Sequence, residues 1–139
     1  MTVSSIAEGY NSVTAFFHVG DAERLIAFLR TALGAKETQR TMDAGRVVHA
    51  EVSIGNSRVM IGEPWGQREI PWGLQHAYVY VEDVDVTFRR ALQAGGTRIL
   101  EPGDQFWGDR LAGVEDPCGI RWWIATHTRD VAPPPARHW

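Results

Sequence analysis

Cysteine is almost absent from this chain: Cys118 is the single one in 139 residues. One thiol excludes an internal disulfide and any cysteine-rich zinc site. Long apolar runs are missing too, and none approaches the roughly 20 residues of a membrane span. Positive charge is not in excess. The formal net charge of -3 gives no basic field for nucleic acid or for an anionic membrane surface. The opening "MTVSSIAEGYNS" has neither the charged start nor the apolar stretch of a secretory signal. Together these absences predict a cytoplasmic protein acting on something small, with no nucleic-acid and no membrane partner. The length suits one domain with a proper core and is too short for two. What the chain does have, beyond an ordinary globular composition, is six tryptophans.

It also says the same thing twice. "TAFFHVGDAERLIAFLRTALGA" and "HAYVYVEDVDVTFRRALQAGGT" align without a gap from Thr14 and His76. In each copy an alternating apolar strand ends at an aspartate, Asp21 or Asp83, suited to cap a helix N-terminus. Helical spacing follows: Leu25, Phe28, Leu29, Ala32 and Leu33, then Val84, Phe88, Ala91 and Leu92. Each helix closes on a glycine signal, Gly34 or Gly95-Gly96.

Three strand-like stretches come after each helix. They lie near 36–42, 46–54 and 57–62, and again near 97–101, 109–115 and 120–126. The last two of each set are joined by turn chemistry, "GN" in the first copy and "DPCG" in the second. The reading is α+β: two tandem βαβββ units forming a cup-shaped mixed sheet in a single domain, 1–139. The first unit spans 12–62, a linker 63–74, the second unit 75–127, and a flexible tail 128–139.

In such a unit the helix covers one sheet face and leaves the other bare. Ala15, Phe17 and Val19, with Ala77, Val79 and Val81, are expected against the helices. Thr14, Phe16 and His18, with His76, Tyr78 and Tyr80, are expected on the bare side. In "VVHAEVSIGN" the apolar alternation Val48, Ala50, Val52, Ile54 leaves His49, Glu51 and Ser53 on the other face. The two-residue turn at Gly55-Asn56 pairs Ile54 with Ser57 and Glu51 with Met60, so His49, Glu51, Arg58 and Met60 share the bare face.

These residues resemble the vicinal oxygen chelate superfamily, which includes glyoxalase I, bleomycin-resistance proteins and extradiol dioxygenases. "FLRTALGAKE", "VVHAEVSIGNSRVMI", "VYVEDVD" and above all "FWGDRLAGVEDPCGIRWWIATH" are similar to its PhnB-like branch, over about residues 12–128. Cys118 and Ile120 depart from that branch, which usually has an aromatic and often a histidine there. The resemblance implies a cup-shaped fold, commonly a homodimer, and a divalent metal held by the first and last strands of each copy. Those places here are Thr14, Met60, His76 and Trp123, and only His76 is a good ligand for such a metal. The reading is therefore no metal and no cofactor. The alternative is a displaced site made by His49, Glu51 and His76.

Two apart on one strand, His49 and Glu51 are neighbours, and a carboxylate beside an imidazole can serve a general base. They are the candidate catalytic pair; the plainer alternative is a satisfied polar pair in the cavity wall. Candidate substrate-binding residues are Phe16, Arg58, Met60, His76, Tyr78, Tyr80, Trp107, Arg110 and Trp123. Arg110 offers a planar fork for a carboxylate or phosphate, or else a salt bridge with Asp109 or Asp116. Trp107, Trp65 and Trp72 fall in loops suited to a rim, while Trp122 has core parity. Aromatic walls with a few polar groups describe a site for a planar or apolar organic ligand; the same rings would also suit a dimer interface. Cys118 is read as incidental.

Three functions fit. The first is a metal-independent isomerase, lyase or cyclase of small-molecule metabolism, and it leads because a mere binding wall has no need of His49 beside Glu51. The second is a sequestering protein of the bleomycin-resistance type. The third is a metalloenzyme with a displaced site.

Overall fold

Asp21 and Asp83 cap the two helices as the repeat predicts. The Asp21 side chain accepts from the amide of Arg24 at 3.1 Å, and Asp83 from that of Val86 at 3.2 Å, satisfying amides that a helix start leaves without partners. The computed structural model describes residues 4–64 and 73–132. In it α1 spans Ala22–Leu33 and α2 Val84–Gln93. Gly34 ends α1 in the left-handed conformation, φ 66, which glycine adopts without steric cost.

Each helix is followed by three strands and preceded by one. The first unit holds β1 (Ala15–His18), β2 (Lys36–Asp43), β3 (Arg46–Ile54) and β4 (Ser57–Gly62). The second holds β5 (His76–Tyr80), β6 (Thr97–Asp104), β7 (Asp109–Glu115) and β8 (Arg121–His127). The architecture is α+β: two four-stranded mixed sheets, ordered β1-β4-β3-β2 and β5-β8-β7-β6. In each the first strand runs parallel to the last and the other pairs are antiparallel. The hairpin register is the expected one, with Ile54 opposite Ser57 and Glu51 opposite Met60.

One strand departs from simple alternation. Val47, not Val48, takes the buried place at the start of β3, at 2% exposure. The ladder shifts there: Met42 pairs with Val47 and Thr41 with His49, so Val48 is an extra residue in a β-bulge. Ala15 also differs from expectation. It opens β1 and is exposed, whereas Phe17 and Val19 are buried.

The helix sides of both sheets share one core, which includes Leu25, Leu29, Ile61, Trp122 and Ile124. Each fully buried aliphatic side chain contributes about 1.5–3 kcal/mol relative to exposure. Phe17 of the first unit meets Trp122 of the second, ring centroids 5.4 Å apart. The Cys118 thiol donates to the Asp21 carbonyl at 3.4 Å. Asp116 ties the "DPCG" turn to this core: it accepts from the amides of Cys118 (2.7 Å) and Ile120 (3.1 Å) and from the Trp122 indole (2.7 Å). The units thus join through their helix sides, while Phe16, Tyr78 and Tyr80 on the opposite faces stay exposed.

Candidate functional site

On the open face of the first sheet, β3 brings His49 beside Glu51. Nε2 of His49 stands 3.2 Å from Oε1 of Glu51, both side chains about three-quarters or more buried. The Glu51 carboxyl is held below its ordinary range. The Tyr10 hydroxyl is the largest cause; burial opposes it, and His49 and Arg58 add to the lowering. An ionised carboxylate only accepts hydrogen bonds, so His49 donates from Nε2 and keeps the Nδ1 lone pair for another proton.

Tyr10 is a site residue that the sequence reading missed. It precedes the first repeat, where no periodicity marks it. Its hydroxyl oxygen is buried and, among the described residues, has no hydrogen-bond partner; it approaches Glu51 without reaching hydrogen-bonding geometry. Burial first, then the approach to Glu51 and its charge, push the phenol up. The Arg58 guanidinium lies over the Tyr10 ring at 5.2 Å. A β-carbon on Gly9, φ +82, would come within 2.8 Å of that guanidinium. Tyr10, Asn11, Thr14, Ser57 and Arg58 line a small cavity of about 50 Å³. Outside that cavity the Phe16 ring lies 4.5 Å from that of His18 and 5.5 Å from that of His49, and Met60 pairs with both Phe16 and Glu51 across the ladder.

The second sheet carries a different constellation. Asp109, 2% exposed, accepts from the hydroxyls of Tyr78 (2.6 Å) and Tyr80 (2.9 Å) and from Nδ1 of His127 (2.8 Å). Burial raises the Asp109 carboxyl, but Tyr78, His127 and Tyr80 outweigh it and hold it below its ordinary value. Tyr78 is pushed up to about 12, by burial first and then Asp109. The other ring nitrogen of His127 meets Asp130 at 2.7 Å. With an acceptor-only carboxylate on each nitrogen, His127 is best satisfied as imidazolium, and Asp130 first, then Asp109, raise its pKa. The Trp107 indole donates to the Tyr78 hydroxyl at 3.2 Å.

Arg110 is a correction. Strand alternation puts Asp109 on the open face and Arg110 on the helix side, where Nε and Nη2 donate to Asp85 of α2 at 2.8 and 3.0 Å. Its partner is therefore neither Asp109 nor Asp116. The parity that places Trp123 and Gly113 on the open face also points to Asp109 and His127, which the sequence reading passed over. Trp65 and Trp72 lie outside the described residues. Cys118 is pushed up to about 11, by burial and then Asp116, which makes it a poor thiolate.

The inherited metal positions do not suit a metal. Met60 is a soft thioether, Thr14 and Trp123 are poor donors, and Nδ1 of His76 already accepts from the Trp123 indole at 3.2 Å. His76 belongs to the second sheet, His49 and Glu51 to the first. Among the described residues no group of three His, Cys, Asp or Glu side chains is placed to hold a metal ion.

Comparison with known proteins follows the same lines. Residues 11–124 match the model of the Glyoxalase/Bleomycin resistance protein/Dioxygenase superfamily. An uncharacterized protein of Mycobacterium bovis is 34% identical over 123 residues, covering 81% of each chain. TioX from Micromonospora sp. ML1 superposes with a TM-score of 0.67 at 24% identity, over 84% of this chain and 99% of that one. A PhnB protein from Bacillus cereus gives 0.67 at 17% identity, over 84% and 99%. At these identities the two structures speak for the fold alone. Among the described residues no helix is long and apolar enough to cross a membrane.

Proposed function

Because the chain belongs to the glyoxalase/bleomycin-resistance/dioxygenase superfamily, we propose that it is a metal-independent acid/base enzyme of small-molecule metabolism, of isomerase, lyase or cyclase type, working in the cytoplasm as a homodimer. The observation that carries this reading is the 3.2 Å contact between His49 Nε2 and Glu51 Oε1. Glu51 fixes the imidazole tautomer and compensates the charge when the ring is protonated. His49 Nδ1 takes a proton from the substrate: the C–H bond breaks, its electron pair moves toward an adjacent carbonyl oxygen, and an N–H bond forms. The Tyr10 hydroxyl, which borders Glu51 and has no hydrogen-bond partner among the described residues, can turn its proton to that oxygen as charge develops. Returning the proton at another atom completes an isomerisation; expelling a leaving group completes an elimination. No step needs a metal.

The poor donor set at Thr14, Met60 and Trp123 supports the metal-free route. Exposed Met42 of β2 and Ile99 and Leu100 of β6, on the edge strands of the two sheets, support a second copy packed there. A sequestering role is the second reading, favoured by the aromatic face of the second sheet, which binding alone would use.

The test is a panel of small carbonyl compounds incubated with the protein in D2O and followed by proton NMR. At least one should lose a C–H signal at an enzyme-dependent rate that His49→Gln abolishes. Enzyme-dependent exchange that His49→Gln leaves intact would contradict the assignment.

A further inference from the structure

We propose that the open face of the second sheet is a binding site for an organic ammonium cation, formed by Tyr78, Tyr80, Phe106 and Trp107 around the buried Asp109 carboxylate. The proposal goes beyond the acid/base reading and stands without it, because it uses none of the first sheet's residues.

Four aromatic rings run in sequence across this face. Tyr78 and Tyr80 meet edge-on at 5.4 Å, Phe106 and Trp107 at 4.9 Å, and the Trp107 indole joins the two pairs through its 3.2 Å hydrogen bond to Tyr78. All four rings are exposed, between 40% and 72%. Apolar burial is not what they provide in this chain, so their free faces are available to a ligand. Ring faces carry negative quadrupolar potential and attract cations, above all alkylammonium groups that shed water cheaply.

What sets this patch apart from a merely apolar one is the carboxylate beneath it. Asp109 receives both phenol protons, at 2.6 and 2.9 Å. A phenol that donates to a carboxylate is polarised toward phenolate, which makes its ring face more negative. Two carboxylates, Asp109 and Asp130, flank the single imidazolium of His127, so the cluster keeps one negative charge. The Asp109 carboxylate is shielded from direct ion pairing by the phenols, which favours a diffuse cation over a metal ion at the rings above it. A quaternary or tertiary ammonium fits this chemistry; a carboxylate or phosphate does not.

Choline and its neutral carbon isostere 3,3-dimethyl-1-butanol, equal in shape and different in charge, make the test. Titrations of the full chain by NMR should show choline binding at least tenfold more tightly, with shifts at the Tyr78, Tyr80 and Trp107 ring protons. Tyr80→Leu and Trp107→Leu should each weaken choline about 3- to 30-fold, the range of one cation–π contact, while Tyr80→Phe keeps most of the affinity because the ring remains. The folded state of each variant is checked by its amide spectrum, and Tyr80→Phe carries the test if a leucine variant fails to fold. Equal affinity for the two ligands, no choline binding at about 100 mM, or shifts confined to the first sheet would overturn the proposal.

Discussion

The Trp123 ring lies flat across Gly113, its partner on the neighbouring strand, where a β-carbon would stand 2.6 Å from Cζ3 and 2.9 Å from Cε3. The missing side chain leaves room for the benzene edge of the indole over β7, while its Nε1 reaches the other way to His76 of β5, whose ring is nearly parallel at 12° with centroids 6.3 Å apart. Gly113→Ala should force the ring away. Overpacking of this kind costs about 1–3 kcal/mol, so the thermal midpoint should fall and the near-ultraviolet circular dichroism of the tryptophans should change. An unchanged midpoint together with an unchanged spectrum would show that the ring does not depend on that space.

The repeat carried most of the fold, because its signals are local. Capping aspartates, closing glycines and the Gly55-Asn56 turn each act within a few residues, and the strand bounds 46–54 and 57–62 emerged as read. The bulge at Val48 was hidden, since it depends on how β2 pairs with β3. The site was legible only in part. His49 and Glu51 stood out because they are two apart on one strand. Tyr10 comes from outside the repeat and reaches Glu51 only through the tertiary fold. Asp109, His127 and Asp130 are brought together by the β7–β8 register and the turn back after β8. Arg110 misled because a functional residue type was read ahead of its strand parity.

His127 gives a pH-dependent signature. Its folded pKa is raised by Asp130 and then Asp109, so it should titrate above its ordinary value of about 6.5. The linked stability is fully present below that unfolded value and is lost as pH rises through the folded one. Asp109→Asn and Asp130→Asn should each lower the His127 titration seen by NMR. His127→Gln should flatten the fall in thermal midpoint across that window. Titration at or below about 6.5 in the unmodified protein would contradict the doubly paired imidazolium.

The exposed apolar side chains on the edge strands β2 and β6 predict assembly. Light scattering at micromolar concentration should give twice the 15.5 kDa chain mass, as expected of a two-fold dimer with an extensive interface. A monomer mass at that concentration would rule out the dimer.

The most direct measurement of the acid/base claim compares two kinds of variant on whichever compound the D2O screen returns, reading turnover and affinity separately. His49→Gln and Glu51→Gln keep size and hydrogen bonding but remove the titrating group. The account predicts that each lowers kcat about 100-fold or more with little change in ligand affinity, while Phe16→Ala, which removes the ring beside His49, acts mainly on affinity. Turnover that survives both glutamine substitutions, with Phe16→Ala the only damaging change, would contradict it and leave the protein a binder.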